Sequence, residues 1–362
     1  GNRSVQPIAL DFSQYNPSSG SEGAVISLDT KSVSDLRASN KAVILKLPQM
    51  QVQLPPSIFS AGLALNLTVT DSLNSSIAQV SSDRSGTSVS EPVQITMQQS
   101  GRTLSQFTDP LSITLTFNPN TLASLGIKSQ GQLSAFYWDP ILKQWTYAGG
   151  KITGSGQMTF KTKHLSIYAL RAYNVNFSDT KKHWAAMEIK SISEKLIAQG
   201  LSSTVFGPND PLTNAHFVTY LARTLNLPDT KKLAPYNDTK ELSWFHVYVN
   251  RSFNAGLLSS VYGTTSQNLF EPNARISREQ MAALLVNAYC NWKNIPKGNL
   301  LVKTEITFTD QSKINPAFKR DVQLAYQLGL MGGTTKTTFE PRRGATRGEA
   351  MAVLMRLINL LQ

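Results

Sequence analysis

The sequence predicts a multidomain α+β chain: an N-terminal all-β sandwich over residues 1–171, followed by an all-α unit built from three repeats. Two observations predict it. The first half alternates apolar and polar residues with a period of two, between clusters of turn residues. The second half states one pattern three times, a Phe-x-Pro followed after four residues by a hydroxyl residue. The copies are Phe206-Gly207-Pro208 with Thr213, Phe270-Glu271-Pro272 with Ser277, and Phe339-Glu340-Pro341 with Thr346. An aromatic-x-Asp precedes each copy, at Phe177 and Asp179, Tyr236 and Asp238, and Phe308 and Asp310. The phenylalanines recur after 64 and then 69 residues, which means one supersecondary unit copied in an array. The copies are expected to occupy residues 172–231, 232–302 and 303–362.

In chain order, strands are expected over Ala42–Leu47, Leu63–Val69, Leu111–Phe117 and the stretch from Met158 to Leu170. Pro55-Pro56, Asn118-Pro119-Asn120, Gly149-Gly150 and Gly154-Ser155-Gly156 punctuate them. Ser18–Gly23 and Asn74–Thr87 are expected to be mobile loops. Short strands so punctuated indicate a sandwich.

One stretch of this half carries candidate chemistry. Tyr137-Trp138-Asp139 is followed by Trp145, and a terminal segment reads His164-Leu165-Ser166. These residues resemble the self-cleaving motif of the GAIN domains of adhesion receptors and the His-Phe-Ser strand of ZU5-type autoprocessing domains. The resemblance implies that Ser166 attacks the carbonyl of Leu165, that His164 takes its proton, and that water hydrolyses the resulting ester. The cysteines of the receptor motif are absent. The same three residues also read as an edge strand closing the sandwich.

Each repeat of the second half reads as helix, loop, helix. The first helix is expected from His183 to Gln199, with Trp184, Met187, Ile189, Ile192 and Leu196 at helical spacing and Gly200 as its stop. Gly256 and Gly329 end the equivalent stretches. The second helices carry apolar stripes at Phe217, Tyr220, Leu221 and Thr224, at Met281, Leu284, Leu285 and Ala288, and at Ala350, Val353, Leu354 and Leu357. Offsets of 0, 3, 4 and 7 put each set on one helix face. Capping boxes open two of them, Ser277 with Gln280 and Thr346 with Glu349; Thr213 with His216 keeps the cap without the acidic partner.

Capping does not account for Arg278 and Arg347. A cation in the first turn opposes the helix dipole, whereas a helix N-terminus with an arginine fork suits a bound carboxylate. Here the pattern Phe-x-Asp, Trp, Gly, Phe-x-Pro, Thr-Arg-x-Glu resembles the S-layer homology domain, over about residues 172–362. The resemblance implies a pseudo-threefold spindle, a pseudo-trimer of repeats, that binds an anionic and often pyruvylated secondary cell wall polymer in grooves between repeats. Ligand residues implied by it are Asp179, Asp238, Asp310, Trp184, Trp244, Arg278, Arg347, Gln280 and Glu349; the aspartates can equally cap the preceding helix. The first repeat departs from the pattern at Asn214 and His216, and the third has Pro316-Ala317 where tryptophan would fall. Fewer than three equivalent grooves are therefore expected, the best being those at Arg278 and Arg347, and His216 reads as a pH-sensitive group or a satisfied surface histidine.

Composition narrows the function. The net charge is +12, of which residues 171–362 carry +9, and such a surface favours an anionic polymer. Nucleic acid is not expected, because the arginines lack interleaved aromatics for base stacking. Nothing approaches 18 consecutive apolar residues, so no membrane insertion is expected. Cys290 is the only cysteine, which excludes an internal disulfide, and it reads as an inert core residue. With four scattered histidines it makes no metal set, and no cofactor is expected. The chain starts with Gly and shows no secretion signal, so it is expected to be a processed or recombinant piece with a cargo domain before residue 1. The expectation is a non-catalytic anchor at the extracellular cell wall of a Gram-positive surface. The alternatives are a self-cleaving module cut between Leu165 and Ser166 and the anchoring tail of a larger glycan hydrolase.

Overall fold

The computed structural model describes residues 6–14, 24–70, 86–303, 305 and 307–362. The loop expected at Ser18–Gly23 and most of that at Asn74–Thr87 lie outside the described residues. The chain divides into two units, Gly1–Asn174 and Val175–Gln362.

In the first unit the strands are β1 (Ile8–Asp11), β2 (Ala24–Leu28), β3 (Val43–Leu47), β4 (Met50–Leu54), β5 (Leu65–Thr70), β6 (Thr87–Ser88), β7 (Val93–Gln99), β8 (Arg102–Leu104), β9 (Gln106–Thr116), β10 (Leu133–Asp139), β11 (Gln144–Gly149), β12 (Lys151–Gly154), β13 (Gln157–His164) and β14 (Ile167–Ala172). One sheet runs β1-β3-β4-β9-β13-β12. The other runs β11-β10-β14-β7-β5-β2, with β6 on β14 and β8 on β7. The alternation seen in the sequence is the inward face of each sheet. Val43 pairs with Leu54 and Leu45 with Val52 across β3 and β4. These join Leu65, Leu67 and Ile95 of the other sheet in one hydrophobic core.

Three expectations for this unit need correction. It is not all-β: helix α1 (Thr30–Ser39) lies between β2 and β3, started by Asp29, whose carboxylate accepts from Ser32 N at 2.7 Å. Only Val33 of this helix is buried, so its polar sequence carries no helical stripe. β9 begins at Gln106 rather than Leu111, passing through Pro110. That proline lies beside the register shift between Thr162 and His164 of β13, and a bulge tolerates a residue without an N–H. Finally, His164-Leu165-Ser166 is no edge strand. His164 ends β13, inside the first sheet, and Ile167 opens β14, inside the second. The two residues between them carry the chain across from one sheet to the other.

In the second unit the helices are α2 (Ala186–Glu194), α3 (Asn214–Thr224), α4 (His246–Asn254), α5 (Ser259–Tyr262), α6 (Arg278–Lys293), α7 (Lys319–Gln327) and α8 (Arg347–Leu361). α2 is shorter than the expected His183–Gln199. It stops before Leu196, whose backbone is left-handed (φ 56°), with Ile197 N bonded to Ile192 O. Gly256 and Gly329 hold the same place after α4 and α7 (φ 74° and 69°), so the stop signal of the first copy is a leucine and Gly200 comes four residues later.

The apolar stripes of α3, α6 and α8 are buried as the spacing predicts, and these helices pack on one another pairwise. Ala282, Ala283 and Val286 bury a second face of α6, which also packs on α5 and α7. The unit also has a non-helical centre. Leu212 N donates to Ala345 O at 3.0 Å, Ala345 N to Ile276 O at 2.9 Å, and Ile276 N to Leu212 O at 3.0 Å. Three short segments, each leading into a helix cap, thus close a ring of backbone hydrogen bonds. Both capping boxes form reciprocally, Ser277 with Gln280 and Thr346 with Glu349. Ser277→Ala and Thr346→Ala are each expected to lower the unfolding free energy of the full chain by about 1 kcal/mol, measured by urea denaturation.

Candidate functional site

The three aspartates bind backbone. Asp179 accepts from Phe206 N (3.0 Å) and Gly207 N (2.8 Å), Asp238 from Phe270 N (3.0 Å) and Glu271 N (2.7 Å), and Asp310 from Phe339 N (2.9 Å) and Glu340 N (2.8 Å). The middle residue of each Phe-x-Pro is left-handed, at φ 70° for Gly207, 53° for Glu271 and 55° for Glu340. That conformation turns two successive N–H groups to one side and makes an anion nest. In each copy the chain's own carboxylate fills it. The aspartates therefore close a loop of about thirty residues rather than cap a preceding helix. Burial works against the charge of Asp179, but the N–H groups of Phe206 and Gly207 outweigh it and hold the carboxyl below its ordinary value. Asp310 is held down in the same way by Phe339 and Glu340.

Each helix start is held by another copy's loop. Arg347 N and Gly348 N donate to Asp210 O (3.0 Å) and Pro208 O (2.8 Å). Arg278 N and Glu279 N donate to Arg343 O (3.1 Å) and Pro341 O (3.0 Å), and Asn214 N and Ala215 N to Ala274 O and Pro272 O (both 3.0 Å). The orphan donors of three helix N-termini are satisfied between copies.

The two arginines lie in these joints. Neither is an exposed fork waiting for an acid: each is only 5% exposed. Arg347 lies 4.5 Å over the Phe206 ring and donates to Phe206 O (3.1 Å), Gln199 O (2.7 Å) and the Tyr220 hydroxyl (2.9 Å). Arg278 lies 4.9 Å over the Phe339 ring and donates to Phe339 O (2.8 Å) and Gly332 O (2.7 Å). They differ in charge balance. Arg278 pairs with Glu349 at 3.5 Å, whereas the hydrogen-bond partners of Arg347 are all uncharged.

This wiring regroups the residues. The first joint unites Asp179, Trp184 and Arg347; the second, Asp238, Trp244, Asn214 and His216; the third, Asp310 and Arg278, with Asn315 N bonded to Glu279 at 2.8 Å beside Pro316. The charge lost at Asn214 is thus missing from the second copy's loop, not the first copy's. Trp184 is 65% exposed and stacks on His183. The His183 ring sits so close to α8 that a Cβ on Gly348 would lie 2.8 Å from it, so a larger residue in that Thr-Arg-x-Glu motif would have to displace the ring. Trp244 is 54% exposed and lies tilted against His216, 5.1 Å between ring centres.

Gln280 and Glu349 are occupied by their caps. Gln280 accepts from Ser277 N (3.0 Å) and Glu349 from Thr346 N (2.9 Å), and Glu349 also binds Arg343. Burial raises the Glu349 carboxyl, but Arg343, the Thr346 N–H and Arg278 outweigh it and bring it below its ordinary value. Sequence reasoning missed Lys181 and Lys182, exposed cations just before Trp184; their adjacency to that tryptophan was the available signal.

In the first unit, the Ser166 hydroxyl donates to Trp138 O at 2.8 Å, and His164 is buried with its ring edge-on to Tyr137. A carbonyl accepts a hydrogen bond but cannot take the proton that an attacking serine must lose. Among the described residues no group of His, Cys, Asp and Glu could hold a metal ion, and no helix is long and apolar enough to cross a membrane.

Residues 176–218 and 307–351, both in the second unit, match the S-layer homology domain family. These matches contain the first and third Phe-x-Pro copies. The chain is 30% identical over 229 residues to an amylopullulanase of Thermoanaerobacterium thermosulfurigenes (63% of this chain, 12% of that protein). It is 36% identical over 183 residues to an endoglucanase of Bacillus sp. strain KSM-635 (50% and 18%), and 32% identical over 168 residues to an S-layer protein of Bacillus thuringiensis subsp. finitimus (46% and 19%). The matches thus span less than one fifth of these relatives' lengths.

Asp179, Asp310 and Glu349 all have folded-state pKa values below their ordinary 3.8 or 4.5. Their contribution to stability is complete above those values and is lost as pH falls through the lower, folded ones. The unfolding midpoint is expected to drop between about pH 5 and pH 3, and to drop less in Asp310→Asn, as followed by thermal denaturation across pH.

Proposed function

We propose that the chain is a non-catalytic anchor. Three S-layer homology repeats, 172–231, 232–302 and 303–362, form a pseudo-threefold unit that holds an anionic, pyruvylated secondary cell wall polymer. Residues 1–171 act as a spacer or presenting domain. The observation that carries this reading is Arg347, a buried guanidinium with only uncharged hydrogen-bond partners, in the same joint as exposed Trp184 and next to Lys181 and Lys182. Asp179 of the same joint balances part of this charge without a hydrogen bond to it, and a bound anion would add to that balance. An exposed indole offers a flat apolar face to a sugar ring. We assign the first joint as the principal site. The third, where Glu349 neutralises Arg278 and no tryptophan is present, contributes little.

The matched relatives, an S-layer protein and enzymes named for glycan hydrolysis, support a location at the cell surface with cargo elsewhere in a longer protein. Trp184→Ala, a surface change, is expected to weaken co-sedimentation with purified cell walls roughly tenfold or more, the size of an aromatic anchor. Mild-acid removal of pyruvate from the walls is expected to have the same effect. Undiminished sedimentation in both arms would sink the proposal. Self-cleavage is not part of it: denatured protein is expected to give one mass of 39.7 kDa, and two fragments meeting at Leu165 and Ser166 would reverse that exclusion.

A further inference from the structure

The second joint has exchanged its buried cation for a neutral network, and the exchange involves three side chains at once. In the first and third joints arginine serves two carbonyls, that of the Phe-x-Pro phenylalanine and that of the residue seven positions before it, Gln199 or Gly332. In the second joint Asn214 serves Phe270 O (3.1 Å) and Glu271 O (3.0 Å) but is too short to reach further. The carbonyl seven positions before Phe270 belongs to Gly263, and Tyr236 donates its hydroxyl there at 2.9 Å. Tyr236 stands where the other copies have Phe177 and Phe308, which carry no donor. The remaining acceptor, Asn214 Oδ1, takes the hydroxyl of Tyr262 at 2.9 Å, delivered by α5, the short helix that follows α4. Asn214 and Tyr262 are buried, and burial raises both phenols well above their ordinary value, so the network stays uncharged.

The rim changes in the same sense. The two residues that lie three and two positions before the exposed tryptophan are Lys181 and Lys182 in the first joint, but Glu241 and Leu242 in the second, Leu242 being 99% exposed. His216, against Trp244, is held below its ordinary value by burial and by Arg347 on α8, which favours its neutral form. Its other close neighbours are Thr213 and Tyr220 on its own helix and Trp244 from the loop, none of them charged. The buried cation and the lysine pair at these two positions are thus absent and the exposed indole is kept, while Lys240 and Arg275 remain exposed beside this joint.

We infer that the second joint is a subsite for an uncharged sugar residue stacked on Trp244, and that Asn214, Tyr236, Tyr262, Glu241 and Leu242 together set that specificity. This rests on the anchoring function proposed above and divides it: one module reads an acid-bearing residue at the first joint and a neutral residue at the second.

The test uses the full chain and four probes, N-acetylglucosamine and N-acetylmannosamine methyl glycosides, each with and without a 4,6-pyruvate ketal, titrated calorimetrically. At least one ketal probe is expected to lose tenfold or more in affinity in Trp184→Ala and to be unaffected in Trp244→Ala. At least one ketal-free probe is expected to show the opposite pattern. Glu241→Lys with Leu242→Lys, a surface double change that leaves the core alone, is expected to raise ketal binding from one site to two. If ketal probes lose affinity equally in both tryptophan variants, or no ketal-free probe depends on Trp244, the neutral subsite is overturned while the anchoring function stands. If no ketal probe depends on Trp184, both readings fall.

Discussion

The second unit depends on hydrogen bonds exchanged between copies. A helix N-terminus leaves backbone donors without partners, and in this chain a loop from another copy supplies the carbonyls. The loop can do so only because its Phe-x-Pro turn is held in a left-handed conformation, and that turn is held by an aspartate about thirty residues earlier in the same copy. The aspartate, the turn and the next helix therefore form one chain of dependence. It closes on itself through Leu212, Ala345 and Ile276. No copy satisfies all the backbone donors at its helix start alone, so the three copies stabilise one another.

That reciprocity accounts for the buried arginines. A cation in the first turn of a helix opposes the dipole, yet Arg278 and Arg347 each gain two backbone carbonyls and an aromatic face across the joint. The guanidinium is first a clamp between copies. What distinguishes the joints is what the cation touches, and there the three diverge: Arg278 pairs with Glu349, Arg347 hydrogen-bonds uncharged groups, and Asn214 brings no cation. An array that began with equal copies can thus hold three chemically different clefts while keeping one backbone geometry.

Several features were legible in the sequence for physical reasons that are local. The 0, 3, 4, 7 stripes, the hydroxyl caps and the strand alternation each depend on neighbours within a few residues, and α3, α6, α8, β3, β5 and β9 follow them. Failures arose where a distant partner overrode a local signal. The strand expected from Leu111 starts at Gln106, because Pro110 fits beside the bulge with β13. Leu196 ends α2 in a conformation that ordinarily marks glycine. The polar α1 is anchored by its cap and one valine rather than by a stripe.

The sequence by itself determined that the second unit is a triplicated helical array, that the second helix of each copy begins at its hydroxyl residue, and that one copy lacks the arginine. Repetition and capping are short-range and leave a readable mark. Only the tertiary structure decided which loop meets which helix. Because each joint is made by side chains 56 to 141 residues apart, with Arg347 reaching back 141 residues to Phe206, no spacing in the chain states the pairing. That pairing brings Trp184 to Arg347 and leaves Trp244 with a neutral network.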